Sequence, residues 1–243
     1  SIVMTSSVPN EGKSTCSVEL ARAIATSGKT VLLVEADMRR RTLASLLNVR
    51  PAAGVYAVLT DAAPLKTAVT PTQTPNLFFL DVEPNIPNPA DIISSKRYQK
   101  LVATLEDSYD YVIYDMPPVG TFVDAAILST LVDGTVLVVK PGSTKRSELV
   151  DACEQLKKAD ANILGICATF CEGTGSEYYY AYYTKDGSRV KDDGDVSALQ
   201  AETRTPVPTA GRRAPRGAQG SPVPAGGRGG FAKDPVAGRG RRA

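Results

Sequence analysis

Histidine is absent, and the four cysteines, Cys16, Cys153, Cys167 and Cys171, form no CxxC pair. A zinc site therefore has no ligand set, and the thiols read as reduced and cytosolic. Long apolar runs are missing too. None approaches the about 20 residues that cross a bilayer, and no stretch has the layout of a signal peptide. Membrane association would then have to come from a partner or from sequence outside this chain. Net charge is small, +2 over 243 residues, but unevenly spread. Residues 211–243 carry seven Arg and one Lys against one Asp, about +7, which leaves about −5 for the rest.

Hydrophobic residues make up 42% of the chain, enough for a sizeable core in one large domain or two small ones. Ser1 stands already inside an apolar run expected to be a central strand. Such a start reads as that of a fragment or an excised domain.

The stretch Ser6-Ser7-Val8-Pro9-Asn10-Glu11-Gly12-Lys13-Ser14-Thr15 carries the chemistry. It joins the apolar run Ile2-Val3-Met4 to residues 16–25, whose apolar positions recur at helical spacing. Strand, loop, Gly-Lys-Ser and helix together make a phosphate cradle. The helix start offers unpaired N–H groups and the positive end of its dipole, Lys13 adds a point charge, and Ser14 is placed to ligate Mg²⁺. Residues 9–15 are the expected nucleotide-binding set. Ser7 occupies the place of the usual first glycine.

A second apolar strand, 30–34, ends in Glu35-Ala36-Asp37. Carboxylates at i and i+2 past a strand end face the same side, toward the crevice where open α/β sheets bind ligands. The run Arg39-Arg40-Arg41 that follows reads as a solvated face, with one Arg available to phosphate. Tyr111-Val112-Ile113-Tyr114-Asp115-Met116-Pro117-Pro118 is a hydrophobic strand ending in Asp, a Walker B pattern in which Asp115 serves the Mg²⁺ shell.

Short helices are expected over 42–60, one or two strands over 65–82 with 77–80 the clearest, and a proline-punctuated loop through Pro84, Pro87 and Pro89. Helices at 95–107, 123–131 and 144–159 then alternate with strands at 111–115, 135–139 and 163–167. This alternation predicts an α/β fold, a mostly parallel sheet with helices on both faces. Beyond Glu172 the character changes. Tyr178, Tyr179, Tyr180, Tyr182 and Tyr183 put five of ten tyrosines into six positions. From Lys185 onward the chain is poor in large apolar residues and reads as disordered. The expected organisation is a P-loop domain over 1–172, a tyrosine cluster over 173–184 and a Pro/Gly/Arg-rich tail over 185–243.

Taken together, residues 6–15, 31–39, 111–118 and the tyrosine cluster resemble the bacterial tyrosine kinases of capsule and exopolysaccharide export, over roughly residues 1–183. The stretches Pro87–Ile93 and Val132-Asp133-Gly134 share the likeness. The resemblance implies a P-loop NTPase fold of the deviant Walker type used also by cell-division-site ATPases. It implies a kinase using ATP and Mg²⁺ that phosphorylates its own tyrosine cluster, with Tyr178, Tyr179, Tyr180, Tyr182 and Tyr183 as acceptors. Lys13, Glu35, Asp37 and Asp115 become the catalytic set, with Glu35 acting on the incoming phenol, and Ser14, Asp37 and Asp115 the metal set. The implied partners are a membrane chain-length-determinant or activator protein, or a fused upstream membrane segment, together with copies of itself and protein tyrosine substrates. No specific nucleic acid is implied. The implied location is the cytoplasm, at the inner face of the plasma membrane.

The chain departs from the family at four places: Asn10 for Gly, Glu35 for Asp, Arg41 for Pro, and Thr169 for an Asn that helps hold adenine. The basic end, 204–243, lies outside the resemblance and reads as a linker able to meet acidic membranes or polymers. Two rivals share the fold. A partitioning or division-site ATPase would carry a signature Lys where Val8 stands, and a nucleotide-binding scaffold would bind ATP without making phosphotyrosine.

Overall fold

The computed structural model describes residues 1–171. The tyrosine cluster and the tail lie outside the described residues. Strands β1 (Ile2–Ser6), β2 (Val31–Glu35), β3 (Val69–Pro71), β4 (Leu77–Leu80), β5 (Tyr111–Asp115), β6 (Gly134–Val139) and β7 (Ile163–Ala168) form one sheet in the order β3-β4-β2-β5-β1-β6-β7. All neighbours are parallel except β3 and β4.

Central parallel strands are covered on both faces, so their sequences run apolar without a break. Alternate residues then divide between two cores. Met4, Leu33, Phe79, Ile113 and Val138 face α1 (Lys13–Thr26) and α2 (Leu43–Leu47). Val3, Leu32, Leu80, Val112 and Leu137 belong to the opposite core. That core also takes residues from α3 (Val55–Leu59), α5 (Pro89–Ile93), α6 (Lys96–Ser108), α7 (Asp124–Ser129) and α8 (Arg146–Lys158).

Two stretches differ from expectation. Residues 65–82 open with a short helix, α4 (Leu65–Ala68), before the strands begin. Pro64, extended, starts it, and its carbonyl accepts from the Thr67 amide at 2.9 Å. The proline-rich loop holds α5, with Pro89 in the first turn, where a missing N–H leaves no bond unmade.

Chain order fixes where ligands can sit. β5 pairs with one side of β1 and β6 with the other, so connections diverge at β1 and leave a crevice at its carboxyl end. Four segments meet there: the 7–12 loop, the turn after β2, the Asp115–Gly120 segment and the ends of β6 and β7.

Candidate functional site

The 7–12 loop turns through two left-handed residues. Gly12 has φ 83° and ψ 13° at the start of α1, and Asn10 has φ 67°. Asn is among the few residues that adopt this region readily, so the loop keeps its path without a glycine at position 10. Helix α1 consequently begins at Lys13, three residues ahead of the Cys16 start read from periodicity, and its first amides face the crevice.

Lys13 gathers the expected site residues around itself. Its Nζ lies 3.3 Å from Asp115 Oδ2, 3.4 Å from Asp37 Oδ2 and 3.2 Å from Ser14 Oγ. Ser14 Oγ donates to Asp115 Oδ2 at 2.6 Å, and Ser17 Oγ, one helical turn on, donates to Oδ1 at 3.0 Å. Burial pushes the Asp115 carboxyl up, while Lys13, Ser14 and Ser17 pull it back. Ser17 carried no motif of its own, although its spacing from Ser14 places it on the same helix face.

Asp37 accepts the Arg39 and Arg40 amides at 3.1 and 2.9 Å, which fixes the turn after β2 and aims its second oxygen at Lys13. Glu35 is paired in register with Asp115 and is fully buried. Its Oε2 accepts from the Thr42 and Leu43 amides at 2.7 and 2.9 Å, so it holds the start of α2, and Oε1 is buried without a partner. Burial, then the nearby Asp115, pushes this carboxyl up to about 8.

The arginine run is exposed, as expected of it, but its side chains are also partnered. Arg39 pairs with buried Asp124 at 2.8 Å and lies 4.1 Å over the Phe122 ring. Arg41 pairs with buried Asp81, and Arg40 reaches Asn10 at 3.4 Å. Neither Asp81 nor Asp124 is marked by the sequence, since each answers an arginine about 40 or 85 residues away.

A cleft of about 440 Å³ opens here, lined among others by Pro9, Asn10, Gly12, Lys13, Ser14, Thr15, Asp37, Arg40 and Leu46. Six of the seven predicted nucleotide-binding residues line it. The seventh, Glu11, turns inward instead. Its side chain accepts from the Val8 amide at 2.9 Å and from Thr144, and its carbonyl accepts from Thr169 Oγ1 at 2.6 Å. The loop is thus braced against β6 and β7.

These residues fit a nucleotide's phosphates and a Mg²⁺ ion. The cradle is formed by the loop and the head of α1, and Ser14 and Asp115 already touch. No cluster of three acidic, His or Cys side chains suited to a metal occurs among the described residues. That suits an ion which keeps several waters and is shared with phosphate oxygens.

The AAA domain family matches residues 3–164. Tyrosine-protein kinase YwqD of Bacillus subtilis is 35% identical over 186 residues, 76% of this chain and 78% of that protein. The chimerical protein CapA2B2 superposes with a TM-score of 0.66 at 32% identity, over 69% of this chain and 74% of its own. The septum site-determining protein MinD of Pyrococcus horikoshii, solved with Mg-ADP, gives 0.58 at 26% identity, over 68% of each chain.

Proposed function

Because this chain belongs to the bacterial tyrosine-protein kinases built on a P-loop domain, we propose that it transfers the γ-phosphoryl group of ATP to tyrosine hydroxyls, first to those of its own cluster. The observation that carries this reading is the convergence of Asp37, Asp115 and Ser14 on the Lys13 ammonium at the head of α1. Mg-ATP supplies the transferable group and the divalent charge. Lys13 and the first amides of α1 hold phosphate oxygens, while Ser14 and Asp115, with Asp37 beside them, hold the metal.

In the transfer, a bond forms from the phenol oxygen to the γ-phosphorus and the bond to the β,γ-bridging oxygen breaks, leaving ADP. The phenol proton, which ordinarily leaves near pH 10, goes to a carboxylate. Sequence reasoning gave that task to Glu35. In the structure Glu35 is sealed in and occupied with α2, whereas Asp37 lines the cleft. Asp37 is therefore the carboxylate with access to the phenol, and Glu35 is a positioning residue. The acceptor enters past Arg40 and Leu46, the latter 46% exposed at the rim and suited to an aromatic ring.

The kinase domain covers 1–172, the cluster Tyr178, Tyr179, Tyr180, Tyr182 and Tyr183 receives phosphate, and neighbouring copies exchange tails. Each phosphate adds about −1.5 to −2 charges, so successive modification turns the tail anionic and loosens the assembly. Regulation of capsule or exopolysaccharide export at the inner face of the plasma membrane, through a membrane activator, completes the reading. No helix among the described residues is long and apolar enough to cross a membrane.

Intact mass of the full chain after incubation with Mg-ATP tests this. Phosphate additions that map to Tyr178–Tyr183 and vanish in Lys13→Ala are expected. ATP binding without any phosphotyrosine, even with an activator segment fused at Ser1, would reduce the chain to a scaffold.

A further inference from the structure

The cleft has a polarity along the sheet. Asp37 and Asp115, the carboxylates that face Lys13, stand at the ends of β2 and β5, so the metal and the transferred phosphate belong on that side of the phosphate loop. The sugar and base of a bound nucleotide must then leave toward β6 and β7. An exposed aromatic ring waits there. Phe170, just past β7, is 65% exposed, and its backbone is left-handed with φ 51°, a conformation that bulky residues rarely adopt. Its Cε2 stands 3.2 Å from where a side chain on Gly12 would begin, and Lys140 Nζ lies 4.5 Å from the ring centroid. Thr169, the neighbour expected near adenine, has its hydroxyl 2.6 Å from the Glu11 carbonyl and 3.0 Å from that of Val139. It is occupied in bracing the loop.

We infer that Phe170, backed by Lys140, is the platform on which the nucleotide base stacks, so that the base is held by its π-face and not read by a hydrogen bond from Thr169. This rests on the nucleotide reading above. Strained backbone at an exposed aromatic is the kind of local cost found at ligand clamps, and stacking accepts any base because every base has a π-face. Adenine and guanine nucleotides are therefore bound with similar affinity.

The chain contains no tryptophan, so Phe170→Trp introduces a unique fluorophore. In the full-length variant, Mg-ADP quenches it saturably and Mg-GDP does so within about tenfold of the same concentration. Pyrophosphate, which fills the phosphate loop without a base, leaves it unchanged. By calorimetry, Phe170→Ala weakens Mg-ADP by about 10- to 100-fold and leaves pyrophosphate affinity as it was. Loss of all Mg-ADP binding by the unsubstituted chain would overturn the nucleotide reading. Normal Mg-ADP binding by Phe170→Ala, or a tryptophan at 170 silent to saturating Mg-ADP, would overturn the platform alone.

Discussion

Gly120 is an exposed residue after the Walker B strand whose replacement by alanine strikes the phosphate loop. A Cβ built there falls on the carbonyl oxygen of Ser7, about 1 Å inside a normal C···O contact of roughly 3.4 Å. The obstacle is main chain, so no rotamer change relieves it. Ser7 is buried, and its neighbour Ser6 accepts the Val119 amide at 2.9 Å, which ties the two segments together. Either that bond lengthens or the loop moves. Overpacking of this kind costs about 1–3 kcal/mol, and a 1 Å displacement of a positioning element lowers turnover by up to about 100-fold. Gly28→Ala is the matched control. Gly28 has φ 90° but nothing within 4 Å, so alanine there meets backbone strain alone, about 1–2 kcal/mol, far from the cleft. Urea unfolding of both variants, read beside calorimetric Mg-ADP binding, separates clash from strain. Comparable stability losses with nucleotide affinity reduced only in Gly120→Ala are expected. A Gly120→Ala protein that binds Mg-ADP as the parent does, at parent stability, would refute the packing of Gly120 on Ser7.

Asp115→Asn keeps the shape of a side chain whose charge is disfavoured by burial. The urea midpoint should hold or rise while phosphotyrosine formation falls at least about 100-fold, and equal losses of both would point to a structural role only. Glu11→Ala removes the acceptor of the Val8 amide and of Thr144, costing about 1–3 kcal/mol in chemical denaturation and weakening pyrophosphate binding as well as Mg-ADP. Phe79→Ala, at a fully buried site in the central sheet, should lower stability by about 3–5 kcal/mol without changing Mg-ADP affinity at temperatures where the protein stays folded. Ser95→Ala deletes the side-chain cap that accepts the Tyr98 amide at 3.2 Å, a loss of about 1 kcal/mol with unchanged phosphotransfer.

The local order of this protein was written in the sequence. Six apolar runs, Gly-Lys-Ser and the Asp ending β5 located the P-loop, the buried carboxylate beside Lys13 and the parallel sheet, because strand burial on both faces and helix capping are properties of consecutive residues. Two short helices were hidden, α4 within a β-like stretch and α5 among prolines, since elements of four or five residues carry too little periodicity to register. What only the tertiary structure decided was the partner of each charge and each loop atom. Glu35 and Asp37 look alike in sequence, two carboxylates at one strand end. Folding seals the first against α2 and leaves the second facing Lys13. The Glu11 side chain and carbonyl brace the loop because Thr144 and Thr169 arrive on the segments that follow β6 and β7, far along the chain, and the arginines find Asp81 and Asp124 in the same way. Spacing along a chain sets which face a residue takes; the strand order, formed by pairings more than a hundred residues apart, sets what that face meets.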